Sequence, residues 1–312
     1  DIKGQKVQNL ASDPSPVQEG QVWYNTTSNT AKVQGYGTAS WASGGVLGTA
    51  RYFAQSGAGT QTAGLVFGGQ SPLKYNTESY NGTAWTEVND MSRAPADTTG
   101  MGAGGTQTSA LAAGTQPVST LSESWDGSCW TSTPALNSGR GYLAGSIQSS
   151  TAGIVYGGLG PPAGVALTEL YNGSTWSEVA DLNTARRSNV GVGSSTAALG
   201  MGGYSGGNVA NCESWDGSCW TNVNNQSNAG GGSAFGTLAS AVKTGGSGNL
   251  VELWDGTNWS SGVNVPTTLS NRSGIGTSSL GLLAGGEPPS TGITTTDEYT
   301  AAGPVTKTIT TG

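Results

Sequence analysis

An eight-residue phrase recurs five times along this 312-residue chain and constrains the fold more than any other feature. It reads Glu, Ser or Leu, an aromatic, Asn or Asp, Gly, Ser or Thr, any residue, then Trp. The copies run from Glu78 to Trp85, Glu123 to Trp130, Glu169 to Trp176, Glu213 to Trp220 and Glu252 to Trp259. A partial sixth copy opens at Glu298-Tyr299 and lacks its tryptophan. Asn-Gly or Asp-Gly between strand formers predicts a hairpin with those two residues as the turn, because both central positions need positive φ. No segment carries a 3.6-residue apolar period, so helices are not expected.

Other landmarks keep the same period. Apolar runs ending in paired glycines precede the phrases, as in Leu65-Val66-Phe67-Gly68-Gly69 and Ile154-Val155-Tyr156-Gly157-Gly158. Further upstream stand Arg51, Arg93, Arg140, Arg186 and Arg272. The fifth unit has no such arginine, and in the second the pair Gly104-Gly105 is displaced from Leu111-Ala-Ala-Gly114. Four short strands in each unit of about 45 residues match the blades of a propeller. The order Arg, Gly-Gly, Glu-x-aromatic, Trp resembles the Kelch family of β-propellers over roughly residues 36–303. The resemblance implies an all-β, six-bladed β-propeller of four-stranded antiparallel blades, and is nearly silent on function. The last unit lacks a fourth strand, and Gly37-Thr-Ala-Ser-Trp41 is expected to supply it and close the ring; Val305–Thr310 is the rival. The domains read as 1–35, an attachment segment with a β-hairpin; 36–304, the propeller; and 305–312, a tail strand.

With Asn81-Gly82 as the turn, Glu78 would face Trp85, and one sheet face would carry Glu, the aromatic and Trp. Each buried aromatic hides about 150–250 Å². The glutamates, partly buried there, need partners, and the repeated arginines are the expected ones. Glu252, without an arginine, should use backbone or hydroxyl donors. Glu78, Glu123, Glu169, Glu213 and Glu252 are therefore read as structural, like Trp41, Trp85, Trp130, Trp176, Trp220 and Trp259. Cys129 and Cys219 are expected as buried packing thiols, and Cys212 is placed too far from Cys219 for a disulfide.

Composition narrows the function. The chain has no histidine, which removes histidine-based nucleophile systems, imidazole zinc sites and the copper ligands of galactose-oxidase-like Kelch enzymes. No enzyme activity, cofactor or metal is expected. Twelve basic residues and a net charge of -7 give no footprint for nucleic acid, and no apolar stretch suggests membrane insertion. Sequons at Asn25, Asn81, Asn172, Asn225, Asn258 and Asn271 are read as coincidence with hairpin chemistry.

Asp13-Pro-Ser-Pro-Val-Gln-Glu-Gly-Gln-Val-Trp-Tyr-Asn25 resembles short segments of bacteriophage tail-fibre and appendage proteins. The resemblance implies attachment to other virion proteins through this segment and a location on the virion surface or outside the cell. The expected function is a non-enzymatic appendage whose propeller binds a host-surface glycan or outer-membrane protein. The alternatives are a structural decoration or connector subunit and a secreted bacterial carbohydrate-binding adhesin; a homo-oligomer is compatible with each. The connections between second and third strands vary most, and variation on a fixed scaffold sets specificity. Leu73, Lys74, Tyr75 and Tyr204 are the contact candidates.

Overall fold

The computed structural model describes residues 7–52, 57–70, 75–92, 100–246, 248–287 and 292–309. Its strands assemble into seven four-stranded sheets, and no helix occurs among the described residues. Six sheets carry the repeat. Sheet one holds Gly57–Thr60, Ala63–Phe67, Thr77–Tyr80 and Trp85–Val88; sheet two holds Gly102–Thr106, Ser109–Ala113, Ser122–Trp125 and Trp130–Ser132. Sheet three holds Ala144–Ser149, Ala152–Tyr156, Thr168–Tyr171 and Trp176–Glu178. Sheet four holds Val190–Ser194, Ala197–Met201, Cys212–Trp215 and Trp220–Val223. Sheet five holds Ser233–Gly236, Ala241–Thr244, Val251–Trp254 and Trp259–Ser261. Sheet six holds Ser273–Gly276, Leu280–Ala284 and Thr296–Thr300, and its fourth strand is Ser40–Ser43.

The hairpin turn sits one residue later than Asn-Gly chemistry predicts. Tyr80 pairs with Trp85 and Glu78 with Glu87, so Glu78 does not face Trp85. Asn81 N–H donates to the Ala84 carbonyl at 3.2 Å, which leaves Gly82 and Thr83 as the central pair. Gly82 alone supplies positive φ, at 89°. Asn81 Oδ1 instead accepts the N–H groups of Thr83 and Ala84 at 3.0 and 2.9 Å. The side chain that tolerates a left-handed turn is here more useful as a local acceptor. The register moves by two residues, an even number, so Glu78, Tyr80 and Trp85 still share one face.

The same correction overturns the reading of the cysteines. Cys129 and Cys219 are exposed, and only Cys212 is buried. Cys219 lies opposite Asp216 at the turn, not opposite Ser214, which pairs with Thr221. All three thiols are free.

The aromatic face of each sheet packs on the sheet before it. Phe67 of sheet one meets Trp130 of sheet two with ring centroids 4.6 Å apart, and Tyr156 of sheet three meets Trp220 of sheet four at 4.5 Å. The indole N–H then reaches the residue that opens the neighbour's third strand. Trp130 Nε1 donates to Thr77 Oγ1 at 2.9 Å, Trp220 to Thr168 at 3.1 Å and Trp85 to Thr296 at 3.0 Å. Where that residue is Cys212 or Val251, the indole turns elsewhere: Trp259 donates to the Asn224 carbonyl and Trp41 to that of Val263. Trp176 Nε1 has no protein partner, and neither does the hydroxyl of Ser122, which holds the place of Thr77 and Thr168 in the repeat.

The glycine after the second strand recurs because it lies against the next arginine's backbone. A Cβ on Gly285 would come within 2.7 Å of the Arg51 carbonyl, and one on Gly114 within 2.5 Å of that of Arg140. In the second unit Gly114 therefore fills this place, while Gly104-Gly105 belongs to the first strand.

Among the described residues, those of 7–40 and 300–309 form one compact unit and those of 41–299 another. Gln8–Leu10 pairs in parallel with Val22–Asn25, which pairs with Thr30–Gly37, which in turn pairs with Gly303–Ile309. The expected hairpin and tail strand thus belong to one sheet, and the rival closing segment around Val305 is paired here. Trp23 is fully buried, and its Nε1 donates to Asp13 Oδ1 at 3.0 Å. Lys32, Asn25 and Trp23 together hold the Asp13 carboxyl down to about 2.

Candidate functional site

Each repeat glutamate gathers the connection that enters its own sheet. Glu169 Oε2 accepts Asn137 N–H at 2.7 Å and Oε1 accepts Ser138 N–H at 3.3 Å. Glu213 does the same with Asn183 and Thr184, and Glu78 with Gly48 and Thr49. Three residues further along the chain, an arginine completes the cluster. Arg51 meets Glu78 at 2.7 Å, Arg140 meets Glu169 at 2.9 Å and Arg186 meets Glu213 at 3.1 Å, all with side chains fully buried or nearly so. Arg51 Nη1 also donates to the carbonyls of Gly68 and Asn76 at 3.0 and 2.9 Å. Burial pulls these guanidinium groups below their ordinary value, and the facing glutamate opposes the shift. Taking such a pair out of water is costly, so its net worth is modest while its loss of one member is severe.

Two units depart from this plan, and the second is described only in part: Glu123 accepts from the N–H and hydroxyl of Ser92, and Arg93 lies outside the described residues. In the sixth, Arg272 pairs at 2.6 Å with Asp297, not with Glu298. Asp297-Glu298-Tyr299 is thus the true sixth copy, with Asp in the glutamate position; Glu298 accepts the Tyr80 hydroxyl at 2.6 Å. In the fifth, Glu252 Oε1 accepts Ser227 N–H at 2.7 Å and Oε2 accepts Asn228 N–H at 3.1 Å. Gly230 stands where the arginine would, and the positive charge comes from Lys243, the cross-strand partner of Glu252. Burial lowers the Lys243 amine to about 8, partly offset by Glu252. No sequence landmark marks Lys243, because it comes from the second strand.

The connections between second and third strands meet the arginine-bearing connections at one edge of each sheet. Tyr52 and Gln70 exchange two backbone hydrogen bonds at 3.1 and 2.7 Å, and Arg187 and Tyr204 exchange two at 3.1 and 2.8 Å. The Arg187 guanidinium lies over the Tyr204 ring, 5.0 Å from its centroid, a cation–π arrangement. Tyr75 and Tyr204 are exposed, as are Val118, Leu121 and Leu250 in the corresponding connections of sheets two and five. Leu73 and Lys74 lie outside the described residues. Sequence reasoning missed Val118, Leu121 and Leu250; their shared place in the repeat was the available signal.

A cavity of about 230 Å³ is bounded by the first strands of all six repeat sheets. Eleven of its 26 lining residues are glycine, and Ser146, Ser233 and Asn189 are among the others. Among the described residues, no cluster of three His, Cys, Asp or Glu could hold a metal ion. The carboxylates are instead consumed by backbone N–H groups and buried cations. This chemistry suits fastening of loops, and the exposed side chains at the loop edge suit contact with another surface. No protein-family model matches the sequence, and no curated protein matches it either.

Proposed function

We propose that residues 41–299 form a six-bladed, Kelch-like β-propeller, and that it is a non-enzymatic binding module of a bacteriophage virion appendage. The six first strands support the ring: successive ones are neighbours in chain order, and Ser273–Gly276 also neighbours Gly57–Thr60. Trp85 and Tyr80 of sheet one, seated on Thr296 and Glu298 of sheet six, support closure, with Ser40–Ser43 as the last strand. Such a ring leaves only the short outer strand of each sheet as an edge.

The observation that carries the binding role is the loop edge. Hydrogen bonds to the arginine connections brace these loops, yet they hold Tyr75, Val118, Leu121, Tyr204 and Leu250 out in solvent. Apolar side chains displayed on a braced scaffold are what a protein or glycan surface can use. The virion part of the reading rests on residues 13–25, in which the exposed Asp13 accepts hydrogen bonds from the buried Trp23 and Asn25.

The test applies the full chain to a glycan array and to outer-membrane vesicles, with immunogold labelling of phage particles alongside. Binding to one of the two surfaces is expected, falling tenfold or more in a Leu121→Ser, Tyr204→Ser chain. A blank on both surfaces with folded protein would overturn the binding role, and unlabelled particles would overturn the virion assignment.

A further inference from the structure

The sheet built from Gln8–Leu10, Val22–Asn25, Thr30–Gly37 and Gly303–Ile309 hides its polar face and shows its apolar one. Trp23 pairs with Lys32 and Lys32 with Thr308, and side chains alternate between faces along each strand. One face therefore carries Trp23, Asn25, Lys32, Gln34 and Thr306. Trp23, Asn25 and Gln34 are the only buried side chains among the described residues of this unit, and all three lie there. Asp13 closes that face, accepting hydrogen bonds from Trp23, Asn25 and Lys32. The opposite face carries Val22, Tyr24, Ala31, Val33, Val305 and Ile309, and its one charge is Lys307. No side chain on it is buried, and Val22 and Ile309 are 38% and 44% exposed. An antiparallel sheet normally turns its polar face to water. A face of this composition belongs against a second layer.

We propose that the same face of a second copy of this chain supplies that layer, the two four-stranded sheets packing as a sandwich in a twofold dimer. A twofold contact needs one surface that matches itself, and aliphatic side chains on a sheet do so by packing face to face. A charged partner would find a single lysine to pair with, whereas like faces need no charge. Lys307 stands on the outermost strand, where its long stem carries the ammonium past the edge into water. The unit is small and holds none of the three cysteines, and chains of this size commonly complete a core by oligomerising. Eleven strand residues belong to the face. A stable interface uses about 20–30 a side, so the area buried sets a weak, concentration-dependent dimer. The pairing is independent of what the loop edge of the other unit binds.

Sedimentation of the full chain over a concentration series tests this. Monomer should give way to dimer with a midpoint of about 10–100 μM. Sodium sulfate should favour the dimer, because it screens the repulsion between two chains of net charge -7 and strengthens apolar burial. Thr308 and Ile309 are adjacent, exposed and on opposite faces, which supplies the control. Ile309→Glu and Val22→Glu should each weaken the dimer tenfold or more, and Thr308→Glu should leave it unchanged. All three positions are exposed, so the folded chain tolerates each change. A chain still monomeric at about 500 μM overturns the proposal. So does a dimer that Thr308→Glu weakens as much as Ile309→Glu, or one that neither Ile309→Glu nor Val22→Glu weakens. A dimer that dissociates in sulfate is held by charge pairing and overturns it too.

Discussion

Sheets three and five solve one problem with different parts. In sheet three a single side chain does everything: Arg140 reaches the Glu169 carboxylate through Nη2 and the carbonyls of Gly157 and Leu167 through Nη1. In sheet five the work is divided. Asn228 Nδ2 takes the glycine carbonyl, here Gly245, while Lys243 brings the positive charge from the second strand. The comparison teaches that the repeat demands a buried carboxylate with a compensated charge at a fixed place. It does not demand an arginine at a fixed place, and Arg272 with Asp297 makes the same point from a third direction.

The largest way to break the comparison is to remove the arginine. Arg140→Met leaves Glu169 buried with only backbone and Asn137 donors, and should cost about 3–5 kcal/mol. Urea unfolding of the purified chain measures it, and a loss below about 1 kcal/mol would mean that the ion pair is dispensable. The matching change in sheet five is Lys243→Met. It should cost less, about 1–3 kcal/mol, because Lys243 Nζ bonds only the carbonyls of Asn228 and Gly245, whereas Arg140 bonds its carboxylate directly. Equal losses in the two sheets would erase the difference drawn here.

A pH series sharpens the same contrast. The folded amine titrates near 8, against an ordinary value of 10.5. Between these values the unfolded chain holds a proton that the folded chain lacks, so stability should climb as pH rises. The slope should appear in the unaltered chain between about pH 8 and 9.5 and vanish in Lys243→Met. Above about pH 10 the buried Tyr156, raised by desolvation, pulls the other way: the unfolded tyrosine ionises first. No comparable slope belongs to Arg140, which remains charged throughout.

Much of this was legible in the sequence, and the rest fails for identifiable reasons. The phrase from Glu to Trp gives the third and fourth strands because its landmarks are side chains with one job each. The turn is misplaced because Asn81 can serve either as a left-handed residue or as an acceptor, and its sequence does not choose. Asp297 is hidden by Glu298, a better match in letter but on the other face of the strand. Lys243 leaves no trace in the repeat at all: a compensating charge can come from any strand whose side chain reaches the same space. Leu121 and Leu250 read as loop residues, and only the pairing of their connections with the arginine segments gives them a common edge.

The smallest effect concerns the indoles, where sheet two and sheet three differ by one methyl group. Trp130 donates to Thr77, whereas Trp176 and Ser122, which hold the equivalent places one sheet on, make no side-chain hydrogen bond. Trp130→Phe removes a bond as well as volume; Trp176→Phe removes volume alone. Their costs should differ by about 1 kcal/mol in thermal or urea unfolding. The reverse experiment is cleaner. A threonine is stiffer at χ1 than a serine, so Ser122→Thr should hold its hydroxyl toward Trp176 as Thr77 and Thr168 do toward their indoles. It should stabilise the chain by about 0.5–1 kcal/mol. A neutral or harmful result would show that the extra methyl, not the hydroxyl's direction, decides the contact, and that the two sheets meet their neighbours differently.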